Sequence, residues 1–200
     1  MTDSNWVYSE NVKKHFMDPQ NILDNIEEYK YDGMGKTGNI QCGDEMLFVI
    51  QVGDGKIADV KWKTYGCASA IASTSKLSEM VIGMTLDEAY HISPQDVVKA
   101  LGGLPDKKIH CSVLGDRALR AAIDDYYSKN GMEEKIETEN AKVVCNCMNV
   151  TDRDIEDAVL EGAKDYKTLQ EMTKLGTVCG GCKDEALTVM EEYIEKYFEK

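Results

Sequence analysis

Residues 44–82 read DEMLFVIQVGDGKIADVKWKTYGCASAIASTSKLSEMVI, and this stretch decides the fold class. Met46, Phe48 and Ile50 alternate with Leu47, Val49 and Gln51, the two-residue period of a strand. Gly53-Asp54-Gly55 follows, a hairpin turn signal. Ile57, Val60 and Trp62 continue into a second strand that ends near Tyr65. Gly66 and Cys67 close that strand, and the run 68–82, rich in small residues, reads as a helix stopped by Gly83. An antiparallel hairpin feeding a helix predicts an α+β domain.

Working outward, a short strand over 37–40 is expected alongside the hairpin, while residues 25–36, polar and carrying Gly33 and Gly35, read as a loop. A first helix is expected over 9–17, ended by Asp18-Pro19. Downstream, Thr85-Leu86-Asp87-Glu88 is a capping box, and Ser93-Pro94-Gln95-Asp96 joins a cap to proline at the first helical position. A long helix is expected over 112–128, with Leu114, Ala118, Ala121, Ala122 and Tyr126 on its packed side. Residues 129–142, with Asn130-Gly131 and several glutamates, have little to bury and read as an acidic linker. Beyond it, Thr151-Asp152-Arg153-Asp154 starts a helix that stops at Gly162. A shorter helix covers 168–174, and a final one covers 182–198 with Leu187, Met190, Ile194 and Phe198 on one stripe. The expected organisation is a domain over 1–128, a linker over 129–142 and a small all-helical unit over 143–200.

The seven cysteines fall into two sets. Cys145-Asn146-Cys147 and Cys179-Gly180-Gly181-Cys182 are two tight pairs, each fixing two soft ligands so that the fold need only bring the pairs together. Four thiolates suit a tetrahedral zinc site or an iron–sulfur cluster. Cys42, Cys67 and Cys111 are single and far apart, each at the end of an expected element. Taken one at a time, they are ordinary small core residues. Taken together at one edge of an α+β domain, they make an open site that can be loaded and emptied, whereas four thiolates close a site. Cys111 at a helix start has its thiolate favoured by unpaired backbone N–H groups. Lys108, His110 and Asp44 stand close by in sequence.

The formal net charge is −13, which argues against sequence-independent binding to nucleic acid or an anionic membrane, both of which need a basic surface. No run of 18 apolar residues is present, and the first residues carry no apolar signal-peptide core. The expected location is cytoplasmic, where thiols stay reduced and cysteine pairs serve as metal ligands or redox groups.

Three segments carry a family resemblance: Cys42-Gly43-Asp44, the run 63–73 (KTYGCASAIAS), and Leu104-Pro105-Asp106-Lys107-Lys108-Ile109-His110-Cys111-Ser112. They resemble the signature segments of IscU-type iron–sulfur scaffolds, over about residues 6–128. The stretch 145–182 resembles the bacterioferritin-associated-ferredoxin-like domain, a small helical unit holding a [2Fe–2S] cluster. The two in this order resemble a NifU-type iron–sulfur cluster assembly scaffold, in a two-domain form that stops before the usual third domain. The resemblance implies an IscU-like antiparallel three-stranded sheet with helices. It also implies a transient [2Fe–2S] or [4Fe–4S] cluster on Cys42, Cys67 and Cys111, built from iron and from sulfur supplied by a cysteine desulfurase, and passed to apo iron–sulfur proteins. Asp44 would tune the lability of that cluster, and Lys108 and His110 would flank it. Cys145, Cys147, Cys179 and Cys182 would hold a permanent [2Fe–2S] cluster as redox auxiliary, in a homodimer that works with a reductant. The chain would thus be a scaffold and carrier, not a turnover enzyme, whose clients are nitrogenase or general iron–sulfur enzymes. In the IscU branch an apolar Leu-Pro-Pro-Val-Lys segment is read by a chaperone; here Asp106 and Lys107 replace its apolar centre. The zinc-binding SufU branch lacks the histidine that stands here as His110. Two other readings compete: a [2Fe–2S] electron-transfer protein with a docking domain, and a zinc-dependent structural protein. Zinc in the three-thiol set alone would be adventitious.

Overall fold

The computed structural model describes residues 8–39, 44–105, 108–136 and 141–198, with the backbone alone at 39, 110 and 111. Its contacts divide the chain into two compact units, Met1–Glu137 and Thr138–Lys200.

The first unit is built on an antiparallel meander of β1 (Gly33–Asn39), β2 (Asp44–Gly53) and β3 (Lys56–Tyr65). Asp54 and Gly55, both at positive φ, make the two-residue turn between β2 and β3, the backbone twist that right-handed strands require. Across that hairpin Phe48 faces Trp62 and Ile50 faces Val60, and all four side chains are buried. The helices are α1 (Glu10–Met17), α2 (Ala68–Val81), α3 (Leu86–Tyr90), α4 (Pro94–Ala100) and α5 (His110–Lys129). Ser9 caps α1, and capping boxes at Thr85/Glu88 and Ser93/Asp96 start α3 and α4. The core joins Met46, Phe48 and Trp62 of the sheet to Leu77 of α2 and Leu119 and Ile123 of α5.

The strand expected over 37–40 begins earlier, at Gly33, inside the stretch read as a loop. The reason lies some eighty residues downstream. A Cβ on Gly33 would fall on the carbonyl oxygen of Ala122, and one on Gly35 on that of Ala118. The glycines are there for close approach to α5 and do not break the strand. On α5 itself Leu119, Ile123 and Tyr127 are buried with Leu114, Ala118 and Ala122, while Ala121 is only half-buried.

The face of α2 that packs inward is small and hydroxylated; Ser73 Oγ is buried without a hydrogen-bond partner among the described residues, while other hydroxyls bridge to neighbouring segments. Ser75 Oγ meets His15 Nδ1 at 2.9 Å and accepts the Gln20 N–H at 2.9 Å, while Ser69 Oγ pairs with the Tyr8 hydroxyl at 3.1 Å. His15 is thus a buried pin between α1 and α2, and His91 lies exposed just past α3. After α5, Met132 and Ile136 bracket a short 3₁₀ turn, Glu133–Lys135, and pack against the core of the first unit.

The second unit is helical with a small ribbon of two strands, β4 (Val143–Cys145) and β5 (Val150–Thr151). Its helices are α6 (Asp152–Leu160), α7 (Tyr166–Thr173) and α8 (Lys183–Phe198). The capping box of Thr151 and Asp154 starts α6. Val144, Ile155, Val159, Leu169, Leu175, Ala186 and Met190 form the core. On α8 the buried anchors are Ala186, Met190 and Tyr197, with Leu187, Ile194 and Phe198 only partly covered. Glu156, buried on α6, accepts from the Tyr197 hydroxyl at 2.6 Å and the Lys196 ammonium at 3.0 Å, tying α6 to α8. Among the described residues no helix is long and apolar enough to cross a membrane.

Candidate metal centres

In the first unit the three-thiol set is described only in part. Cys42 lies outside the described residues, as do the side chains of Cys111 and His110. The backbone around them is informative. Asn39 and Asp44, where the described chain stops and resumes, are register partners at the end of the β1–β2 pair. At the same end Glu45 pairs with Tyr65, and two residues later Cys67 is the N-cap of α2. A Cβ on Gly66 would stand 3.3 Å from the Asp44 carboxyl carbon, so the carboxylate of Asp44 lies against the main chain beside Cys67. The position of α5 follows from the glycine contacts. Two steps along β1 match four steps back along α5, so strand and helix run antiparallel. Continued to Asn39, roughly 13 Å further, that register reaches the first turn of α5. A second close approach, Gly115 against Thr74, crosses α5 over α2 within two turns of the start of each. The starts of two long helices therefore share the edge that holds Asp44 and Cys67, and helix starts favour thiolate over thiol. Lys108 sits in the turn just before α5, its N–H on the Pro105 carbonyl at 2.7 Å.

The four-thiol set is described in full. Cys145 ends β4 and is buried, and Cys147 is exposed in the turn to β5. Cys179 is exposed, and Cys182, immediately before α8, is buried. The structure brings them together as two pairs. Cys147 and Cys179 have their sulfurs 3.4 Å apart, and the buried Cys145 and Cys182 act on one another's thiols in the interior. Backbone N–H groups point at these sulfurs: those of Gly176, Met148 and Cys147 at Cys145, and that of Gly181 at Cys179. The Gly176 N–H, before the others, holds the Cys145 thiol below its ordinary range, and the Gly181 N–H does the same for Cys179. Burial pushes the Cys182 thiol up, and the neighbouring Cys179 sulfur raises Cys147.

The donor set is four cysteine sulfurs in two pairs, one inner and one outer, and four cysteines are the ligand set of a [2Fe–2S] cluster. Neither cysteine-bearing stretch, 143–151 or 172–183, contains an acidic residue in a chain that has 36. A thiolate-ligated cluster is anionic, and nearby carboxylates would oppose it. Met148 and Val178, beside the outer pair, are exposed apolar side chains.

Residues 7–133 match the family model of the NifU-like N terminal domain, and residues 143–192 match that of the BFD-like [2Fe-2S] binding domain. The nitrogen fixation protein NifU of Trichormus azollae is 40% identical over 185 residues, covering 88% of this chain and 61% of the relative. The iron-sulfur cluster assembly scaffold protein IscU 1 of Archaeoglobus fulgidus is 48% identical over 130 residues, covering 65% of this chain and 83% of the relative. That of Escherichia coli, IscU, is 48% identical over 125 residues, covering 61% of this chain and 95% of the relative. The chain therefore spans about three fifths of the length of the NifU protein it matches.

Proposed function

Because this chain belongs to the NifU-like N-terminal domain family and carries a BFD-like [2Fe–2S] binding domain behind it, we propose that it is a scaffold on which iron–sulfur clusters are assembled. Its cargo is a transient cluster built at Cys42, Cys67 and Cys111 in the cytoplasm. Iron and the sulfur released by a cysteine desulfurase are the inputs, and apo iron–sulfur proteins are the recipients. The chain acts as a carrier and not as a turnover enzyme, and it works as a homodimer.

The observation that carries this reading is the Asp44 carboxylate lying against Gly66, beside Cys67. Three thiolates and a carboxylate form a mixed donor set, and the harder oxygen is the weaker partner for iron in a sulfide cluster. That corner exchanges, which a carrier needs. Lys108 supplies a positive charge at the same edge, and His110 stands as a replaceable nitrogen ligand.

In the second unit Cys145, Cys147, Cys179 and Cys182 hold the resident cluster. When bound, that cluster supplies one-electron transfer. Cys145 and Cys182 anchor it in the interior, and the N–H groups aimed at the sulfurs disperse thiolate charge. Cys147 and Cys179, exposed, would hold their end of the site at the surface, within reach of a redox partner. Held by these residues, the group would act as the scaffold's redox auxiliary. That same exposed pair favours a second reading, an electron-transfer protein whose first unit is a docking module.

Incubating the full chain with ferrous iron, cysteine and a desulfurase tests both. The scaffold reading expects iron and sulfide to bind beyond the resident cluster, and to transfer to an apo-ferredoxin. Transfer should fail in C42A, C67A and C111A and be slowed but not abolished in C147A/C179A. Transfer untouched by all three single substitutions sinks the scaffold reading. Transfer untouched by those three yet abolished in C147A/C179A favours the second reading.

A further inference from the structure

Tyr166 touches the segment that carries Cys182 at two points, Gly176 and Lys183. It is the first residue of α7, fixed there by Asp165, whose carboxylate accepts the Thr168 N–H at 2.9 Å. From that point its side chain reaches the turn after α7. Lys174 and Gly176 in that turn both adopt positive φ, and Gln170 Nε2 donates to the Leu175 carbonyl at 3.1 Å. The Tyr166 hydroxyl sits where a Cβ on residue 176 would be, with the ring carbon behind it 3.4 Å from that position. The Gly176 N–H is directed at the inner thiols, at Cys145 foremost and at Cys182 as well. On its other side, the Tyr166 ring lies under the Lys183 ammonium, 5.3 Å from the centroid, and Lys183 directly follows Cys182.

We propose that Tyr166 is a positioning residue for the resident cluster, holding the Gly176 N–H on the Cys145 sulfur and setting the cluster's reduction potential. The proposal rests on the reading that the four thiols of the second unit hold a [2Fe–2S] cluster. The argument is steric and electrostatic. A glycine at φ +67 is free to turn its N–H away unless something fills the space beside it, and the hydroxyl fills it. An N–H donated to a ligand sulfur stabilises the more negative, reduced state, so a well-held donor raises the potential. Lys183, kept over the ring, adds a positive charge on the same side.

The test uses the full chain carrying its cluster, in four forms: wild type, Y166F, G176A and Y166F/G176A. Y166F keeps the ring and removes the atom that fixes Gly176. Its one-electron reduction, followed by absorbance and by the paramagnetic signal of the reduced state, should become several-fold to about tenfold less favourable, tenfold being 59 mV for one electron. G176A places a methyl on the hydroxyl and should shorten cluster lifetime in the presence of an iron chelator. In Y166F/G176A the nearest atoms to that methyl are 3.4 Å away, so the lifetime should recover over that of G176A. A Y166F potential equal to that of the wild type, or a double variant no longer-lived than G176A, overturns the proposal. A wild type without a two-iron spectrum overturns instead the ligand assignment beneath it.

Discussion

Gly35 of β1 lies so close to α5 that a Cβ on it would coincide with the carbonyl oxygen of Ala118. The Ala122 amide nitrogen and the Ala121 carbonyl carbon are the next atoms it would meet, at 2.8 Å for the carbon. All are backbone atoms in the middle of a helix, so no side-chain rotation relieves the clash. Gly35→Ala should therefore destabilise the first unit by about 3 kcal/mol, at the upper end of typical overpacking costs, or roughly 10 °C in its thermal transition. Gly55→Ala is the contrast. Nothing lies within 4 Å of a Cβ there, and only the positive φ is paid, about 1 kcal/mol. Calorimetry of the two variants measures the difference, and equal losses would refute the packing argument.

That contact also marks where reading the chain reached its limit. The β2–β3 hairpin was legible because its pattern is local: an alternating run, a Gly-Asp-Gly turn and a second run. The capping boxes at Thr85, Ser93 and Thr151 were legible for the same reason, since each partner stands three residues away. The extent of β1 was not, because Gly33 and Gly35 signal a loop unless α5 is known to pass over them. In the second unit the spacing of Cys145, Cys147, Cys179 and Cys182 singled out the thiols, but not how they pair. The division into an inner and an outer pair depends on β4 burying Cys145 and α8 burying Cys182. Tyr166 carried no signal of its own, and Gly176 was only a glycine near a cysteine. Their contact forms when the chain reverses after α7.

His15 gives the first unit an acid-sensitive contact. The imidazole is buried on α1, with Nδ1 on Ser75 and Nε2 3.6 Å from the Glu79 carboxylate. Burial lowers its pKa, aided by Lys76 and Lys14 and opposed by Glu79. The unfolded chain takes up this proton at about pH 6.5, and the folded chain only at lower pH. The contribution to stability is thus complete above about 6.5 and is lost as pH falls from there through the folded value. Lowering the pH from 7.5 to 5.5 should reduce the thermal transition of the first unit. His15→Gln, which keeps a group able to hydrogen-bond to Ser75 but cannot titrate, should reduce it less over the same range. Identical slopes would remove His15 from the account.

Asp44 is the residue at the three-thiol edge whose removal should slow hand-over rather than abolish assembly. Its carboxylate offers the exchangeable donor beside Cys67, while the thiols that retain iron are untouched. Asp44→Ala should leave loading with iron and sulfide near the wild-type amount and lengthen the dwell of the loaded cluster several-fold, measured as the rate of transfer to an apo-ferredoxin. Asp44→Asn, which keeps an oxygen but loses the charge, should fall between. Faster transfer from Asp44→Ala would reverse the assigned role.

Loss of the resident cluster should unfold one unit and spare the other. The second unit, Thr138–Lys200, is of the size at which a hydrophobic core is marginal without a metal or disulfide, about 60 residues. Two of its core members are Cys145 and Cys182 themselves. Releasing the metal leaves those two thiols facing one another in the interior, and binding to the folded state alone is a direct gain in stability. In the first unit Phe48, Trp62, Leu77, Leu119 and Ile123 are buried independently of any thiol. Full removal of iron should therefore split the unfolding trace into an early transition for the second unit and an unmoved transition for the first. Cys145→Ser should produce the same split in the untreated protein, because a hydroxyl in that buried place is a poor iron ligand and a costly polar group. Cys147→Ser, exposed at the rim, keeps the inner pair and should lower the early transition by less. Hydrogen exchange resolved by segment distinguishes the two units directly: protection lost over 143–198 and kept over 44–129 is the expected pattern, and uniform loss across the chain would show that the cluster supports both.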